Sequence, residues 1–214
     1  MKYQRKIIVF LGPQGAGKGT QAELLSKELS LPVIDMGQLI RNKSKENSLE
    51  GRLIKEKISK GELVSDKMTI KLLKEEWQKE KMRFGFILDG FPRSLKQVPF
   101  LEKQINKNDI FKVIYLEISD QEVIKRLVKR RICSDCGKVF IYQPGLTKCS
   151  ACGGKLIQRS DDQPEAIKKR LKLYHQLTKS VLDYYRRKGN LIKINGQQSI
   201  SKVFLDIKKA LEVE

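Results

Sequence analysis

The chain alternates between short, mainly apolar runs and longer segments with a helical spacing of apolar residues. The apolar runs lie at residues 7–11, 32–35, 86–89, 113–118 and 191–194. Short runs without polar alternation are typical of parallel strands that are buried on both faces. The segments between them carry apolar residues three to four positions apart, which is typical of helices packed on a sheet. The pattern therefore predicts an α/β fold with a parallel sheet covered by helices on both faces.

The spacing of apolar residues and the signals at helix ends predict the bounds of the helical segments. We expect helices from the glycine-rich residues 12–20 to about residue 28, two short ones before Gly61, and others over 66–81, 119–131 and 164–187, with a last helix after residue 194. Ser119 and Glu122 have the spacing of a capping box at the start of the fifth of these helices.

Residues 132–158 break this alternation. Glycines, four cysteines and short β-like runs replace the apolar strands and periodic helices. No linker separates the stretch from its surroundings, so we expect a small insertion into one main domain rather than an independent domain. A length of 214 residues suits one core with smaller inserted pieces.

Composition narrows the choice of partners only slightly. The longest apolar run, residues 7–11, is too short to span a membrane, and Gly12-Pro13 interrupts any signal-like segment, so we expect a cytoplasmic protein. The formal charge of +19, from 44 Lys+Arg against 25 Asp+Glu, favours polyanions such as nucleotides, nucleic acid or acidic membranes. The lysines are scattered along the chain, however, which is typical of solvated helix faces.

A phosphate-binding loop follows the first predicted strand and opens a helix. Its sequence is Gly12-Pro13-Gln14-Gly15-Ala16-Gly17-Lys18-Gly19-Thr20. In this context backbone N–H groups surround a phosphate, the helix N-terminus adds positive potential, and the lysine reaches the β- and γ-phosphates. The segment therefore predicts a site for a nucleoside triphosphate.

Further charged residues are expected at the same edge of the sheet. Asp89-Gly90-Phe91-Pro92-Arg93 ends a predicted strand, and ligands of open parallel sheets bind at that edge. Arg126 and Arg130 are four positions apart on a predicted helix, where they share a face and would repel each other without an anion between them. Arg159, Asp161, Asp162 and Arg170 follow the insertion.

These motifs together resemble the adenylate kinase family and its nucleoside monophosphate kinase relatives. Gly-Lys-Gly-Thr in the loop and Asp-Gly-Phe-Pro-Arg after the strand carry the resemblance, which extends over essentially the whole chain. It implies a P-loop NTPase-like sheet with a core of residues 1–34, 65–128 and 163–214. It also implies a helical acceptor-binding insertion at 35–64 and a lid at 129–162.

The implied reaction is a reversible, Mg²⁺-dependent phosphoryl transfer from ATP to AMP that gives two ADP. For ATP the resemblance implies contacts from Gly15, Ala16, Gly17, Lys18, Gly19, Thr20, Arg126, Arg130, Val139, Phe140 and Gln198. For AMP it implies Met36, Arg41, Glu62, Leu63, Val64, Gly90, Phe91, Pro92, Arg93, Gln97, Arg159 and Arg170. Asp89 would help to hold Mg²⁺. The implied catalytic set is Lys18, Asp89, Arg93, Arg126, Arg130, Arg159 and Arg170. We expect a monomer with no nucleic-acid or membrane partner.

The four cysteines form two Cys-x-x-Cys pairs. Cys133 and Cys136 precede Cys149 and Cys152 by twelve intervening residues, and a glycine follows each pair. Four thiolates at this spacing predict a tetrahedral, structural zinc site, with an iron site or disulfides as alternatives. Bacterial members of the family carry a similar metal-bound lid.

The acceptor segment departs from the family pattern. The family usually has Ser-Thr-Gly-Asp where this chain has Asp35-Met36-Gly37-Gln38. Gln97 keeps an amide that can pair with an adenine edge, which favours AMP. A UMP/CMP or GMP kinase of the same fold remains an alternative. A basic zinc-ribbon protein that binds nucleic acid is an alternative from another class, although the basic residues do not cluster around the cysteines.

Overall fold

The computed structural model describes residues 4–213. Residues 1–3 and 214, which the predicted core includes, lie outside this part of the chain. The main sheet has five parallel strands in the order β2-β3-β1-β4-β8. Its strands are β1 (Lys6–Leu11), β2 (Val33–Asp35), β3 (Gly85–Asp89), β4 (Ile110–Glu117) and β8 (Leu191–Asn195). All five apolar runs are therefore strands of this sheet, as predicted.

Both faces of the sheet are buried. Along β1, Ile7, Val9 and Leu11 belong to one apolar cluster, whereas Ile8 and Phe10 belong to the other. This division follows from the two-residue period of a strand, whose side chains point alternately to opposite faces. Because both faces need apolar cover, the strand sequences are mainly hydrophobic.

Helices cover the two faces and also extend beyond them. They are α1 (Lys18–Leu29), α2 (Met36–Lys43), α3 (Leu49–Ser59), α4 (Asp66–Trp77), α5 (Val98–Glu102), α6 (Asp120–Lys129), α7 (Pro164–Leu173), α8 (Lys179–Arg187) and α9 (Ile200–Leu211). The short α5 was not predicted. Within residues 4–213, no helix combines the length and apolar character that crossing a membrane needs.

The predicted end of α4 at residue 81 is wrong. The helix ends at Trp77, and a 3-10 turn follows at Glu80–Met82. Trp77 packs edge-on against Phe86 of β3, with 4.3 Å between ring centroids, and Met82 is buried. The chain must turn back here to bring these side chains into the core beside the next strand.

The predicted end of α6 at residue 131 is also wrong. The helix ends at Lys129, and Arg130 is extended, with φ −69° and ψ 134°. Arg126 and Arg130 therefore do not share a helix face as predicted. The extended backbone begins β5, while the Arg130 side chain pairs with Asp162.

The long helical stretch over residues 164–187 is confirmed, with one wider turn in it. A π-helical turn at Tyr174–Thr178 joins α7 to α8. Such turns insert one extra residue and often occur at functional sites. This turn buries Thr178, whose hydroxyl donates a hydrogen bond to the Arg93 carbonyl at 3.1 Å.

The insertion predicted from the break in alternation contains a second, antiparallel sheet. Its strands are β5 (Arg130–Cys133), β6 (Val139–Ile141) and β7 (Leu156–Ile157), in the order β6-β5-β7. Several of its apolar side chains are exposed, Val139 and Ile141 among them. So small a sheet buries little apolar surface, which makes a covalent or metal crosslink valuable to its stability.

Candidate functional site

A cavity of about 790 Å³ lies at the carboxyl edge of the main sheet. The loop after β1, the end of β3, α6, the antiparallel sheet and α7 all contribute to its walls. A smaller cavity of about 70 Å³ adjoins it, lined also by residues of the α2–α4 segment. Arg41, Arg93, Arg159 and Arg170 line both, so a cationic surface is shared between the two spaces.

The loop after β1 has a conformation that depends on its glycines. Gly12 has φ +143°, and a Cβ there would lie 2.6 Å from the Leu116 carbonyl oxygen, so only glycine lets the loop pack this closely on β4. Gly17, at φ +92°, precedes α1, and no side chain caps that helix. The first N–H groups of α1 therefore remain available to an anion in the cavity.

Lys18 is held against this loop. Its Nζ donates to the carbonyl oxygens of Gly12 at 3.0 Å and Pro13 at 2.8 Å. Burial lowers the pKa of Lys18 to about 8, although the nearby Asp89 opposes that shift. A bound phosphate would favour the ammonium form further, because an opposite charge stabilises it.

Asp89, at the end of β3, is a buried carboxylate whose charge acts on Lys18. Burial raises the pKa of Asp89 to about 6, against the opposing charge of Lys18. Its Oδ1 is buried and has no hydrogen-bond partner among residues 4–213. An unpaired carboxylate oxygen beside a phosphate loop fits Mg²⁺, a hard cation that prefers oxygen ligands and water.

Two adjacent aspartates orient three arginines. Asp161 accepts from Arg159 at 2.9 and 2.8 Å, and Asp162 accepts from Arg130 Nε at 2.8 Å and from its Nη2. Arg170 Nη1 lies 2.9 Å from Asp161 Oδ2. Forked guanidinium–carboxylate pairs fix the arginine planes, so this cluster holds its cations in place before any ligand binds.

The cluster keeps its charges in spite of burial. Burial alone would raise the pKa of Asp161, but the charges of Arg170 and Arg159 lower it to about 2. Burial lowers the pKa of Arg170 to about 10, and the pKa of Arg41 falls to about 10 for the same main reason. At neutral pH Asp161 is therefore an anion, and Arg170 and Arg41 are cations.

The residues predicted to contact ATP all line the larger cavity. These are Gly15, Ala16, Gly17, Lys18, Gly19, Thr20, Arg126, Arg130, Val139, Phe140 and Gln198. Arg126 lies at the end of α6, where its Nε donates to Glu122 at 2.7 Å and its Nη2 to the Gly196 carbonyl at 2.9 Å. It thus links α6 to the turn after β8.

Most residues predicted to contact AMP line one or both cavities. Those are Arg41, Glu62, Leu63, Val64, Gly90, Pro92, Arg93, Gln97, Arg159 and Arg170. Met36 and Phe91 are fully buried in the hydrophobic core and line neither cavity. Their apolar side chains gain more from packing under the sheet edge than from contact with water in the cavity.

The four cysteine sulfurs converge within the antiparallel sheet. Their Sγ atoms all lie within 4.8 Å of one another, with 3.4 Å between Cys133 and Cys152 and 3.6 Å between Cys136 and Cys149. These separations are too long for an S–S bond of about 2.05 Å. They are close to the spacing of about 3.8 Å that a tetrahedral zinc with Zn–S bonds of about 2.3 Å requires. The donor set therefore fits a zinc ion.

Comparison with known proteins agrees with this arrangement. A family model described as adenylate kinase matches residues 10–190. An adenylate kinase of Caldicellulosiruptor bescii is 42% identical over 213 residues, which cover 97% of this chain and 99% of that protein. An adenylate kinase of Archaeoglobus fulgidus is 42% identical over 212 residues, which cover 96% and 97%.

The chain belongs to the adenylate kinase family. A further adenylate kinase, from Methanocella arvoryzae, is 42% identical over 211 residues, which cover 95% of this chain and 97% of that protein. The family predicted from the loop and the Asp-Gly-Phe-Pro-Arg segment is therefore confirmed. The basic zinc-ribbon alternative does not explain a match of this extent.

In this adenylate kinase family member, several interactions at the site were missed by sequence reasoning. Asp161 and Asp162 were noted, but their role in holding three arginines was not, although alternating opposite charges were a signal for it. Gln38 accepts a hydrogen bond from Arg41 Nη2 at 3.0 Å. No signal in the sequence indicated the Thr178 hydrogen bond, because it depends on the π turn.

Proposed function

We propose that this protein transfers a phosphoryl group reversibly from ATP to AMP, giving two ADP. The observation that carries the proposal is the pair of adjoining cavities with a shared arginine surface. The larger contains the phosphate loop and Asp89, and the smaller has space beside Arg41 and Gln97. ATP would bind with its triphosphate on the loop, and the acceptor phosphate would lie near Arg41 and Arg93. The names of the relatives support this pair of substrates.

The chemistry needs positioning and charge neutralisation more than covalent help. Lys18 and the arginine cluster would stabilise negative charge on the transferring group, in a site where oriented dipoles and cations act strongly. The acceptor phosphate is already ionised at neutral pH, so no general base is needed. Mg²⁺ brought with ATP would neutralise phosphate charge, and the unpaired Asp89 Oδ1 would hold it, directly or through water.

We propose that residues 35–64 and 129–162 are the acceptor-binding and lid segments, and that residues 1–34, 65–128 and 163–214 form the core. The two segments approach each other across the cavity, since a Cβ on Gly137 would lie 3.5 Å from Gln38 Oε1. Closure of both segments would exclude water, which is the competing acceptor.

We also propose that the four cysteines bind one structural zinc ion. Four thiolates leave no open coordination position, so the ion would stabilise the antiparallel sheet and take no part in transfer. The convergence of the sulfurs supports this assignment over disulfides.

The acceptor is tested by measuring ADP formation from ATP with AMP, UMP, CMP and GMP in turn. We expect the highest kcat/KM with AMP. An equal or higher value with one of the other three would support the UMP/CMP or GMP kinase alternative instead. A Lys18→Met variant purified in the same way controls for contaminating kinases, because it should lose most of the activity.

A further inference from the structure

The side-chain amide of Gln97 has a fixed orientation. Its Oε1 accepts from the Arg93 backbone N–H at 2.7 Å, and its Nε2 donates to Asp66 Oδ1 at 2.7 Å. A backbone N–H can only donate, and a carboxylate can only accept. Of the two orientations that differ by a 180° rotation of the amide, only this one satisfies both partners.

Asp66 is itself held in place. It is the first residue of α4, which Ser65 caps, and its Oδ1 also accepts from the Ser94 hydroxyl at 3.2 Å. Asp66 and Gln97 therefore belong to different elements of the chain, joined through one carboxylate oxygen. Gln97 lines the smaller cavity, although only 3% of the surface of this residue is exposed. The network therefore lies beside that cavity.

Each polar atom of the Gln97 amide retains one unused bonding position. Nε2 has a second proton and Oε1 a second lone pair, and no other side-chain hydrogen bond to this amide occurs within residues 4–213. Gln97, which lines the cavity, can therefore offer a donor and an acceptor side by side, in a set order. A base edge with an amino donor next to an unprotonated ring nitrogen matches that order. A base edge with a carbonyl next to a ring N–H has the opposite order.

We propose that Asp66 is a positioning residue that makes the acceptor site select amino-bearing over carbonyl-bearing base edges. The carboxylate does this without touching the base, because it holds the Gln97 amide in the orientation that suits an amino group. The opposite orientation would set Nε2 against the Arg93 N–H and Oε1 against the Asp66 carboxylate. This inference rests on the proposed function, since it assumes that the base of the acceptor lies at Gln97.

The test compares AMP with inosine monophosphate, which differs from AMP only at position 6 and in the proton on N1. The wild-type protein should prefer AMP in kcat/KM by roughly 10²-fold or more, because the wrong edge leaves buried groups unpaired. Asp66→Asn removes one of the two restraints, since an amide can donate as well as accept. The AMP-to-inosine-monophosphate ratio should fall by about tenfold, through KM rather than kcat.

Two variants control this experiment. Asp183→Asn changes a carboxylate paired with Arg186 on the exposed face of α8, away from both cavities, and should leave the ratio unchanged. Ser94→Ala removes a second hydrogen bond to the same Asp66 oxygen and should shift the ratio in the same direction by a smaller factor. Ser94→Ala also provides the test if Asp66→Asn folds poorly.

An unchanged ratio in folded Asp66→Asn, or an equal loss with both acceptors, would overturn the inference and leave Asp66 a structural residue. Failure of the wild-type protein to phosphorylate AMP would contradict the proposed function itself. That result would appear before any variant is measured, so the two failures are distinguishable.

Discussion

Asp89 and Lys18 are buried charged groups whose pKa values shift towards neutral pH. Burial moves the pKa of Asp89 up to about 6 and that of Lys18 down to about 8, because each ion loses solvation. Perturbed groups facing one cavity are a common property of functional sites. The unfavourable loss of solvation would be offset when phosphate and Mg²⁺ bind, so part of the binding free energy comes from these two residues.

The raised pKa of Asp89 predicts a pH dependence. The ionised carboxylate needed for Mg²⁺ is lost as pH falls through about 6, so kcat/KM for ATP should decrease up to tenfold per pH unit below that value. The effect of Asp89 on the free energy of unfolding has the opposite sign. Because its folded pKa exceeds the unfolded value of 3.8, its contribution to stability is full below pH 3.8 and is lost as pH rises through about 6. Asp89→Asn should have lower activity and lack this inflection, whereas ionisation of the nucleotides affects both proteins. The same inflection in Asp89→Asn would contradict the assignment.

Arg93 is predicted to act through its charge. Its Nε donates to the Gly90 carbonyl at 2.9 Å, and it forms no ion pair in the part of the chain that the structure describes. Arg93→Ala should therefore lower kcat by roughly 10²–10³-fold without unfolding the protein, since it removes a cation from a dry site. Arg186→Ala, on the exposed face of α8, is the matched control. Steady-state kinetics with circular dichroism check both, and a near-normal kcat for Arg93→Ala would refute the role.

At the scale of elements, the π turn between α7 and α8 brings the Thr178 hydroxyl to the Arg93 backbone. Arg170 projects from α7 before the turn, and Thr178 ends the turn with its hydroxyl on the Arg93 carbonyl. The Arg93 backbone is therefore held from two sides, by Gln97 at its N–H and by Thr178 at its carbonyl. A helix predicted only from the spacing of apolar residues does not reveal this contact.

Thr178→Val keeps the shape of the side chain and removes that hydrogen bond. The loss of a buried bond costs about 1 kcal/mol, so we expect a lower Tm by a few degrees and a decrease of about five- to tenfold in kcat/KM for AMP. Thr147→Val, at an exposed position in the antiparallel sheet region, should change neither. Calorimetry and acceptor kinetics measure the two effects. Thr178→Val with wild-type values for both would show that the contact is dispensable.

The stability of the antiparallel sheet should depend on bound zinc. Because the sheet buries little apolar surface, we expect one zinc per chain, and chelation or Cys136→Ser should lower Tm while the main sheet stays folded. Elemental analysis of protein purified without chelators gives the metal content, and differential scanning calorimetry gives Tm. Ser134→Ala, next to Cys133 but not one of the four thiolates, serves as the control. Metal-free protein, or unchanged melting after confirmed removal, would exclude the structural role.

For the whole molecule, the sequence predicts the architecture better than the contacts between distant residues. The five strands follow from short, mainly apolar runs, and the cavity at their carboxyl edge follows from the positions of the phosphate loop and Asp89. The end of α6 at Lys129 does not follow from local pattern, because the Arg130–Asp162 pair that favours the extended chain joins residues 32 positions apart. The burial of Met36 likewise depends on packing that no local pattern shows.

Gln97 illustrates the same limit at the acceptor site. Its amide was predicted to contact the base, and the structure places it beside the smaller cavity. Its orientation, however, depends on Asp66, 31 positions earlier, and on the Arg93 backbone. Single-sequence reasoning thus identifies the types of side chain at the site, whereas their orientation emerges only from the folded chain.

The central claim is tested most directly with ADP and Mg²⁺ as the only nucleotide and cation supplied. A kinase that accepts AMP can run the reaction in reverse on ADP alone, so the account predicts equal amounts of ATP and AMP, formed without free phosphate and resolved by chromatography. A kinase specific for UMP, CMP or GMP has no second substrate under these conditions. Unchanged ADP, alongside active phosphorylation of one of those other acceptors from ATP, would contradict the account.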